Sequence, residues 1–219
     1  LIGEYNLDIL QKSTVAIFGL GGVGSYALEA LARCGIGNFI LIDNDKISSS
    51  NINRQLLALN STVGKLKIDV ATKHIQDINP RVNIKTFAQF YLPENAHNID
   101  LSNCNYIVDC IDTVTAKVFL AQEASRLNVP IISSMGTGNK IDATKLLITD
   151  IYKTHTCPLA KIIRTELKKR GIKNLKVLYS KETPIKAKGQ RIPASISFVP
   201  PVAGLLIAGA VIKDIIGDI

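Results

Sequence analysis

Residues Phe18–Asp45 read FGLGGVGSYALEALARCGIGNFILIDND and contain the features from which the fold is predicted. An apolar run, Thr14–Gly19, leads into the glycine pattern G-x-G-x-x-G, and an amphipathic segment follows as far as Arg33. A second apolar run then ends at Asp43, 19 residues after Gly24. A strand, a glycine turn, a helix and an acidic strand end form the first half of a dinucleotide-binding fold, in which N–H groups at the helix start hold phosphate. The stretch therefore predicts a nucleotide site, and it leaves both NAD and ATP open.

The rest of the chain repeats this alternation of short apolar runs with amphipathic segments. The alternation predicts an α/β fold with a doubly wound, Rossmann-like and mainly parallel sheet, whose ligands bind at the carboxyl ends of the strands. The further strands are predicted at residues 82–87, 105–112 and 130–136, and the further helices at residues 6–12, 63–79 and 114–128.

The pattern changes after Gly138, so residues 1–138 are predicted to form the nucleotide-binding part, identified below as ATP-binding, and residues 139–219 a basic, substrate-binding extension of the same domain. The run Val202–Ile212 carries no charge, but it is shorter than the roughly 20 residues that span a bilayer. We therefore expect a buried or dimer-interface helix and no integral membrane segment, with peripheral membrane contact as the alternative. The extension is predicted to contain a strand-like stretch at 140–150, a basic helix at 158–170, short strands at 175–179 and 195–199, and a terminal apolar helix that begins at Pro200 and ends at Gly217.

Composition narrows the class of protein. A chain of 219 residues with 47% apolar and 20% charged residues is long enough to bury one sizeable core. Its four cysteines form no C-x-x-C pair, which argues against a zinc knuckle and fits the reduced thiols of a cytoplasmic protein. The N-terminal residues do not contain a basic segment followed by an apolar one, so the sequence shows no secretory signal.

Positive charge is concentrated in one stretch of the sequence. Residues 161–191 contain 11 Lys or Arg and two acidic residues, whereas the rest of the chain contains 15 basic and 16 acidic residues. A solvated helix face would explain part of this pattern, but the local concentration favours a polyanionic partner. Because Tyr179 is the one aromatic residue of the stretch, contact with phosphate is expected more than stacking on bases.

Charged residues beyond the glycine loop distinguish NAD from ATP. A triphosphate that loses pyrophosphate needs cations at its outer phosphates and an acid for Mg²⁺, whereas a redox dinucleotide needs few cations beyond its pyrophosphate. Arg54 and Lys67 supply such cations near predicted helix starts, and Asp112 ends a predicted strand. The alternative is that Arg54 and Lys67 are surface charges and that Asp112 caps the next helix.

A combination of motifs between Val15 and Gly136 resembles the adenylating domain of the ubiquitin-activating-enzyme superfamily. These motifs are GLGGVGS, LIDNDKISSSNINRQ, VGKLK and DCID. The resemblance implies ATP as the nucleotide, with Asp43 on the ribose, Lys67 on the α- and β-phosphates and Asp112 holding Mg²⁺. It implies catalytic roles for Arg54, Lys67 and Asp112, and it assigns to the ATP site Gly19, Gly21, Gly22, Gly24, Asp43, Asp45, Asn51, Arg54, Gln55 and Lys67.

Two later segments, Asp150–Glu182 and Ser195–Ile215, resemble one branch of that superfamily, the tRNA threonylcarbamoyladenosine dehydratases. The branch uses ATP to cyclise the threonylcarbamoyl group on the adenosine at position 37 of ANN-decoding tRNAs, through an acyl-adenylate. Two alternatives stay open: an adenylyltransferase that activates the C-terminal carboxylate of a ubiquitin-like sulfur-carrier protein, and a nucleotide sensor without turnover. Paired C-x-x-C ligands are usual in the sulfur-carrier enzymes, so their absence here favours the tRNA enzyme.

The resemblance also carries expectations about partners and about Cys157. A homodimer is expected, and some family members use a sulfur-relay partner. The basic stretch suits a tRNA, with Lys161, Arg164, Lys168, Lys169, Arg170 and Lys173 as its candidate contacts. Relatives that pass on thioesters use a cysteine near the position of Cys157, but intramolecular cyclisation needs no covalent enzyme intermediate. Packing is therefore the favoured role for Cys157. The superfamily often supplies an N-terminal Arg to the phosphates, yet no Arg precedes Arg33 here.

Overall fold

The computed structural model describes residues 1–185 and 193–217. Its seven-stranded sheet has the order β3-β2-β1-β4-β5-β7-β6, and every neighbouring pair is parallel except β6 and β7. The predicted doubly wound α/β fold is therefore confirmed. The strands are β1 (Thr14–Phe18), β2 (Asn38–Ile42), β3 (Asn83–Phe87), β4 (Tyr106–Asp109), β5 (Ile131–Ser134), β6 (Leu146–Asp150) and β7 (Lys176–Ser180). The α-helices are α1 (Gly3–Lys12), α2 (Gly24–Arg33), α3 (Lys67–Ile78), α4 (Val114–Leu127), α5 (Pro158–Lys169) and α6 (Val199–Ile216).

The central strand β1 is buried on both faces, which explains its uninterrupted apolar sequence. Its side chains alternate between two cores, as the period of a strand requires. Val15 and Ile17 pack with residues of α1, α2, α3 and α6, whereas Ala16 and Phe18 pack with residues of α4. A third cluster joins α4 to α5 and β7, so the basic extension continues the same sheet.

The terminal helix α6 packs against α2 through small residues. A Cβ atom on Gly204 would lie 2.3 Å from the carbonyl oxygen of Val23, so only glycine allows this close approach. At its other end, Asp214 accepts hydrogen bonds from Tyr106 on β4 and Lys176 on β7. Among the described residues, α6 is the one helix with the length and mean hydropathy (1.8) of a membrane span, and half of that window is buried within the protein.

The strand predicted at 140–150 is shorter than expected. Pairing with β7 begins only at Leu146, because the residues before it form a turn. The carboxylate of Glu182 accepts the backbone N–H groups of Ile141 and Asp142, and the Asp142 side chain accepts the N–H of Thr144. These side-chain acceptors replace the partner strand that the sequence pattern suggested.

The strand predicted at 195–199 is wrong, and the helix predicted at 63–79 begins later than expected. The carbonyl oxygen of Ser195 accepts a hydrogen bond from the Asn53 side chain, no strand pairs with this segment in the structure as described, and Val199 is already helical. Gly64 has φ +87°, a left-handed conformation that the helix cannot include, so α3 starts at Lys67.

A buried ion pair joins the end of β4 to α4. Lys117 Nζ lies 2.9 Å from Asp109 Oδ2, and both side chains are 1% exposed. The Ser133 hydroxyl of β5 donates to the same carboxylate oxygen, and Asp109 Oδ1 accepts the N–H of Ile111. The pair therefore fixes the loop that follows β4 and links it to two further elements.

Removing one member of this pair leaves a buried charge without its partner. We expect Lys117→Met to lower the free energy of unfolding by about 3–5 kcal/mol, because a lone buried carboxylate is strongly destabilising. The double variant Asp109→Asn/Lys117→Met removes both charges and should be clearly more stable than the single variant. Urea unfolding of the three proteins measures this, and a double variant no more stable than Lys117→Met would contradict the account.

Candidate active site

A cleft of about 540 Å³ lies at the carboxyl edge of the sheet, where the loops after β1 to β5 meet. It opens where the strand order reverses, between β1 and β4, which is the usual ligand position in doubly wound sheets. This cleft is lined by all but one of the residues that were predicted to bind ATP or to take part in catalysis. The fold thus brings together residues that are spread over almost a hundred positions of the sequence. These residues are Gly19, Gly21, Gly22, Asp43, Asp45, Asn51, Arg54, Gln55, Lys67 and Asp112.

The glycines of the loop have two roles: some allow tight backbone packing, and one leaves space for a ligand. Gly24, the predicted residue that does not line the cleft, packs so tightly that a Cβ there would lie 1.8 Å from the Gly19 carbonyl oxygen. Gly19 itself has φ +88°, and its Cβ would lie 2.8 Å from the carbonyl oxygen of Cys110. Gly21 faces more open space, because its nearest neighbour is Gln55 Nε2 at 3.8 Å. The loop therefore presents backbone at Gly21 and the N-terminus of α2 to a phosphate.

Asp43 is held in place by two backbone hydrogen bonds at the end of β2. Its Oδ2 accepts the N–H of Leu20 at 2.6 Å, and its Oδ1 accepts the N–H of Asp45 at 2.8 Å. Burial raises the pKa of Asp43, while the nearby charge of Lys67 opposes this shift. Each carboxylate oxygen has a second acceptor position, which fits the two hydroxyls of a ribose.

Lys67 is an internal charge of the cleft and not a surface residue. Its side chain is 5% exposed, and its Nζ lies 2.7 Å from Oδ2 of Asp45, which is 56% exposed. The backbone also joins the two residues, because the Lys67 N–H donates to the Asp45 carbonyl. A phosphate that reaches Lys67 therefore competes with a single, solvent-exposed carboxylate.

Arg54 follows a short 3₁₀ turn, Ser49–Asn51, that begins the far wall of the cleft. The turn is closed by the Asn51 side chain, which accepts the N–H of Ser48. Arg54 Nη1 donates to the Ser50 carbonyl and to the Asn53 side chain, at 2.8 and 2.9 Å. Within the described parts of the chain its other guanidinium nitrogens make no hydrogen bond, so they keep donors for a phosphate.

Two buried polar atoms at the cleft lack hydrogen-bond partners. Over residues 1–185 and 193–217 the unpaired buried side-chain atoms are Gln55 Oε1 and Gln89 Nε2, and both residues line the cleft. Leaving such an atom unpaired costs about 1–3 kcal/mol. Because both residues line the cleft, turning these side chains toward a polar ligand there would recover the cost.

Asp112 lies in the loop between β4 and α4, because β4 ends at Asp109 and not at residue 112. The helix cap is Thr113, without a side-chain capping bond, so the alternative role of Asp112 as helix cap is not adopted. The Asp112 carboxylate is exposed at the cleft. The described residues contain no cluster of three or more metal-ligating side chains, but Mg²⁺ bound to a nucleotide needs only one or two protein carboxylates.

The sequence did not reveal the residues that support these groups. Asp109, Lys117 and Ser133 fix the loop that carries Asp112, and no local motif marks a pair that forms only in three dimensions. Ser195 and Pro200, from the basic extension, complete the cleft wall beside Gly22. The glycine at position 22 is the sequence signal of this contact, because a Cβ there would lie 3.1 Å from Cβ of Pro200 and the two residues would have to move apart.

The basic helix α5 begins beside the same edge of the sheet. Gly136 follows β5, and a Cβ atom added to it would lie 4.0 Å from Cβ of Leu159 in the first turn of α5. Lys161, Lys168 and Lys173 are exposed, without ion pairs within the described ranges. Lys169 and Arg170 are also exposed but share the carboxylate of Glu166, at 2.7 and 2.6 Å.

Arg164 is half-buried and holds the turn before α5. Its Nη1 donates to the carbonyl and the hydroxyl oxygen of Thr154. Part of its donor capacity is therefore used within the protein. Lys186, Lys188 and Arg191, the last cations of the basic stretch, lie outside the described residues.

The family model named ThiF family matches residues 1–218. The chain is 43% identical, over 100% of its length and 92% of the relative's, to the tRNA threonylcarbamoyladenosine dehydratase of Bacillus subtilis. It is 38% identical to the enzyme of that name from Escherichia coli, over 77% of this chain and 63% of the relative. It also resembles, at 33% identity over 68% of its length, an adenylyltransferase and sulfurtransferase of Candida glabrata.

Solved structures give the same picture. The crystal structure of the E. coli tRNA N6-threonylcarbamoyladenosine dehydratase in complex with AMP matches with a TM-score of 0.92 and 32% identity, over 97% of this chain and 89% of that one. The structure of that enzyme in complex with ATP matches with a TM-score of 0.89. Both ligands of the matched structures are adenine nucleotides.

Cys157 is buried and does not line the cleft. The residue is 5% exposed, and its Sγ lies 4.0 Å from the Cβ position of Gly136. It occupies the N-cap of α5 without a side-chain capping bond and belongs to the cluster between α4, α5 and β7. These contacts support packing as its role.

Thiol labelling of the native protein tests this assignment. Cys34 is the exposed cysteine. Burial raises the pKa of Cys34 as well, but it raises that of Cys104 to about 11 and that of Cys110 to about 12. We expect a disulfide reagent to modify one thiol per native chain and four in urea, and Cys34→Ser to remove the native reaction. Native labelling of Cys157 that survives in Cys34→Ser would contradict its assignment as a buried packing residue.

Proposed function

The chain belongs to the ThiF family, and on that basis we propose that it is an ATP-dependent tRNA threonylcarbamoyladenosine dehydratase. One observation carries the proposal: Asp43, Arg54, Lys67 and Asp112 meet around a glycine loop in a single cleft, in a chain similar along its whole length to an enzyme of that activity. The nucleotide is ATP, because the cleft surrounds its phosphate end with cations and an exposed acid that a redox dinucleotide does not need.

The chemical problem is the loss of water from a carboxylate at neutral pH, where hydroxide is a poor leaving group. Attack of the threonylcarbamoyl carboxylate on the α-phosphate of ATP forms an acyl-adenylate and releases pyrophosphate. The ureido oxygen then attacks the activated carbonyl, closes an oxazolone ring and expels AMP. One water is lost overall, and its oxygen leaves in AMP. The enzyme has to neutralise phosphate charge and hold the two substrates in line.

The cleft residues divide these tasks. Asp43 fixes the ribose, and Lys67 exchanges its partner Asp45 for the α- and β-phosphates, since the exposed carboxylate can turn to water. Arg54 donates to the outer phosphates, where negative charge grows as pyrophosphate departs. Asn51 and Gln55 hold the wall from which Arg54 reaches the cleft.

Asp112 is the residue that would hold Mg²⁺. Its exposed carboxylate lines the same cleft as Arg54 and Lys67, and the rest of an octahedral shell would come from phosphate oxygens and water. When bound, Mg²⁺ would neutralise part of the phosphate charge. The buried pair of Asp109 and Lys117 keeps the loop of Asp112 in place.

The basic helix α5 is the proposed contact with tRNA. Residues 1–138 would then activate the carboxylate, and residues from 139 onward would hold the RNA along α5, which starts beside the carboxyl edge and runs toward the amino end of β7. Lys161, Lys168 and Lys173 carry the unpaired positive charge of this surface. The alternative sulfur-carrier substrate is disfavoured because it would not require a polyanion-binding surface.

The assembly of the protein is inferred from an exposed apolar face of α6. Leu205 and Leu206 of α6 are 47% and 41% exposed, which suits the predicted homodimer. The sulfur-relay partner, the cytoplasmic location and peripheral membrane contact stay predictions.

The proposal is tested by incubating the chain with ATP, Mg²⁺ and threonylcarbamoylated tRNA. The modified nucleoside should lose the mass of one water, and AMP and pyrophosphate should appear in equal amounts. Release of ADP and orthophosphate would contradict the adenylation mechanism. Activation of a Gly-Gly carrier protein, with no change in the tRNA, would favour the alternative function.

Substitutions at the phosphate end should remove turnover without unfolding the protein. We expect Arg54→Ala and Asp112→Ala each to lower kcat by roughly 10²–10³-fold, the usual effect of removing one charge-stabilising group. The matched controls Arg81→Ala and Asp77→Ala replace exposed charges outside the cleft and should keep the wild-type rate. A cleft variant that retained more than about half of that rate would lose its assigned role.

Salt dependence tests the basic surface. Each Lys or Arg that neutralises a phosphate lowers the slope of log affinity against log salt by roughly 0.7–0.9. The triple reversal Lys161→Glu/Lys168→Glu/Lys173→Glu should therefore flatten the slope and weaken tRNA binding, while ATP binding persists.

The control for this triple variant reverses three exposed cations to Glu. These are Lys73, Arg81 and Lys85, on or beside α3 and β3, at the side of the sheet away from β6 and β7. It changes net charge equally and should leave the slope close to that of wild type. If both triple variants behave alike, tRNA responds to overall charge and α5 is not its contact surface.

A further inference from the structure

The loop after β3 forms the end of the cleft that lies farthest from the basic extension. The glycine loop follows β1, Asp43 follows β2, and residues 89–92 follow β3, the next strand in the sheet. A nucleotide with its phosphates at α2 and its ribose at Asp43 therefore extends its base toward residues 89–92. These residues line the same cleft.

Gln89 carries an unsatisfied donor in this loop. Its Nε2 is buried and has no hydrogen-bond partner in the described parts of the chain, although nearly all buried polar atoms in proteins are paired. The atom is closed to water in the empty cleft, so the Gln89 side chain, which lines the cleft, has to turn before a ligand can accept a hydrogen bond from Nε2. The other unpaired buried atom, Gln55 Oε1, belongs to the phosphate end of the same cleft.

Aromatic packing holds the loop in place. Tyr91 is 4% exposed, and its ring packs edge-to-face on Phe18 of β1, with ring centroids 4.7 Å apart. A second contact joins Tyr91 to Phe119 of α4, at 5.5 Å. Gln89 therefore projects from an anchored segment. Its neighbour Phe90 lines the cleft and is 60% exposed, which leaves an apolar ring available to cover a base.

We propose that Gln89 recognises the adenine base and makes the cleft selective for adenine over guanine, an inference that rests on ATP being the nucleotide of the proposed function. A primary amide presents a donor and an acceptor side by side. Adenine matches this pattern, because a ring nitrogen accepts a hydrogen bond beside an exocyclic amino group that donates one. On the N7 edge guanine presents two acceptors, N7 and a carbonyl oxygen, so the amide oxygen would find no donor there in either orientation.

Nucleotide binding to the full chain tests the proposal without tRNA. We would measure Kd for ATP, GTP and the triphosphate of purine riboside, which is adenosine without the exocyclic amino group, all with Mg²⁺. The wild-type protein should bind ATP at least about tenfold more tightly than either competitor, the effect of one well-made hydrogen bond. Gln89→Met, similar in size but without the amide, should bring the three Kd values within about threefold of one another.

Two further variants complete the experiment. Gln89→Glu keeps the length of the side chain but replaces the donor with an acceptor, so ATP binding should weaken at least tenfold. Gln76→Met removes an exposed glutamine from α3, outside the cleft, and should bind like wild type. The proposal is overturned if wild type does not discriminate among the three nucleotides, or if Gln89→Met keeps the preference for ATP.

The assay also separates this proposal from the proposed function. Adenine selectivity that depends on Gln89, in a protein that never removes water from the tRNA, would contradict the dehydratase assignment and leave base recognition intact. Dehydration of the tRNA with a nucleotide preference that ignores Gln89 would contradict base recognition alone.

Discussion

The reversal of strand order on either side of β1 is the constraint on which the rest of the structure depends. β1 pairs in parallel with β2 on one side and with β4 on the other, and the residues that follow β1 and β4 pack on opposite faces of the sheet. Their loops therefore part at the carboxyl edge and open a cleft that no side chain of the sheet fills. Gly19 and Gly24 make this possible, because any side chain at either position would collide with neighbouring backbone.

Within that cleft the protein holds cations that can bind a triphosphate, and they destabilise the ligand-free protein little. Lys67 is nearly buried but paired with Asp45, and Arg54 rests on neutral oxygen atoms of its own segment. Neither cation is left as an isolated buried charge, which would be strongly destabilising. Asp45 and Asp112 are both exposed and can exchange ligand for water, so charge rearranges on the solvent side while Asp43 stays fixed by backbone N–H groups.

The parts of the site that depend on local sequence patterns could be predicted. The glycine turn, Asp43 and the Arg54 segment follow from strand periodicity and motif spacing, and the structure brings them into one cleft. The strand predicted at 195–199 failed because its alternating pattern belongs to a segment held by a side chain 142 positions away, Asn53. The pair of Asp109 and Lys117 and the unpaired amide of Gln89 could not be predicted, since burial and hydrogen-bond satisfaction are properties of the packed molecule and not of spacing.

The central claim is that this cleft activates a carboxylate by transferring AMP to it, and the fate of one oxygen atom tests it most directly. Threonylcarbamoylated tRNA would be prepared with heavy oxygen in the carboxylate and converted by the full chain with unlabelled ATP. Because the bond broken on ring closure joins the carbonyl carbon to the bridging oxygen, one labelled oxygen should appear in the phosphate of AMP for each ring formed. Unlabelled AMP, with the label in pyrophosphate or in water, would contradict the account.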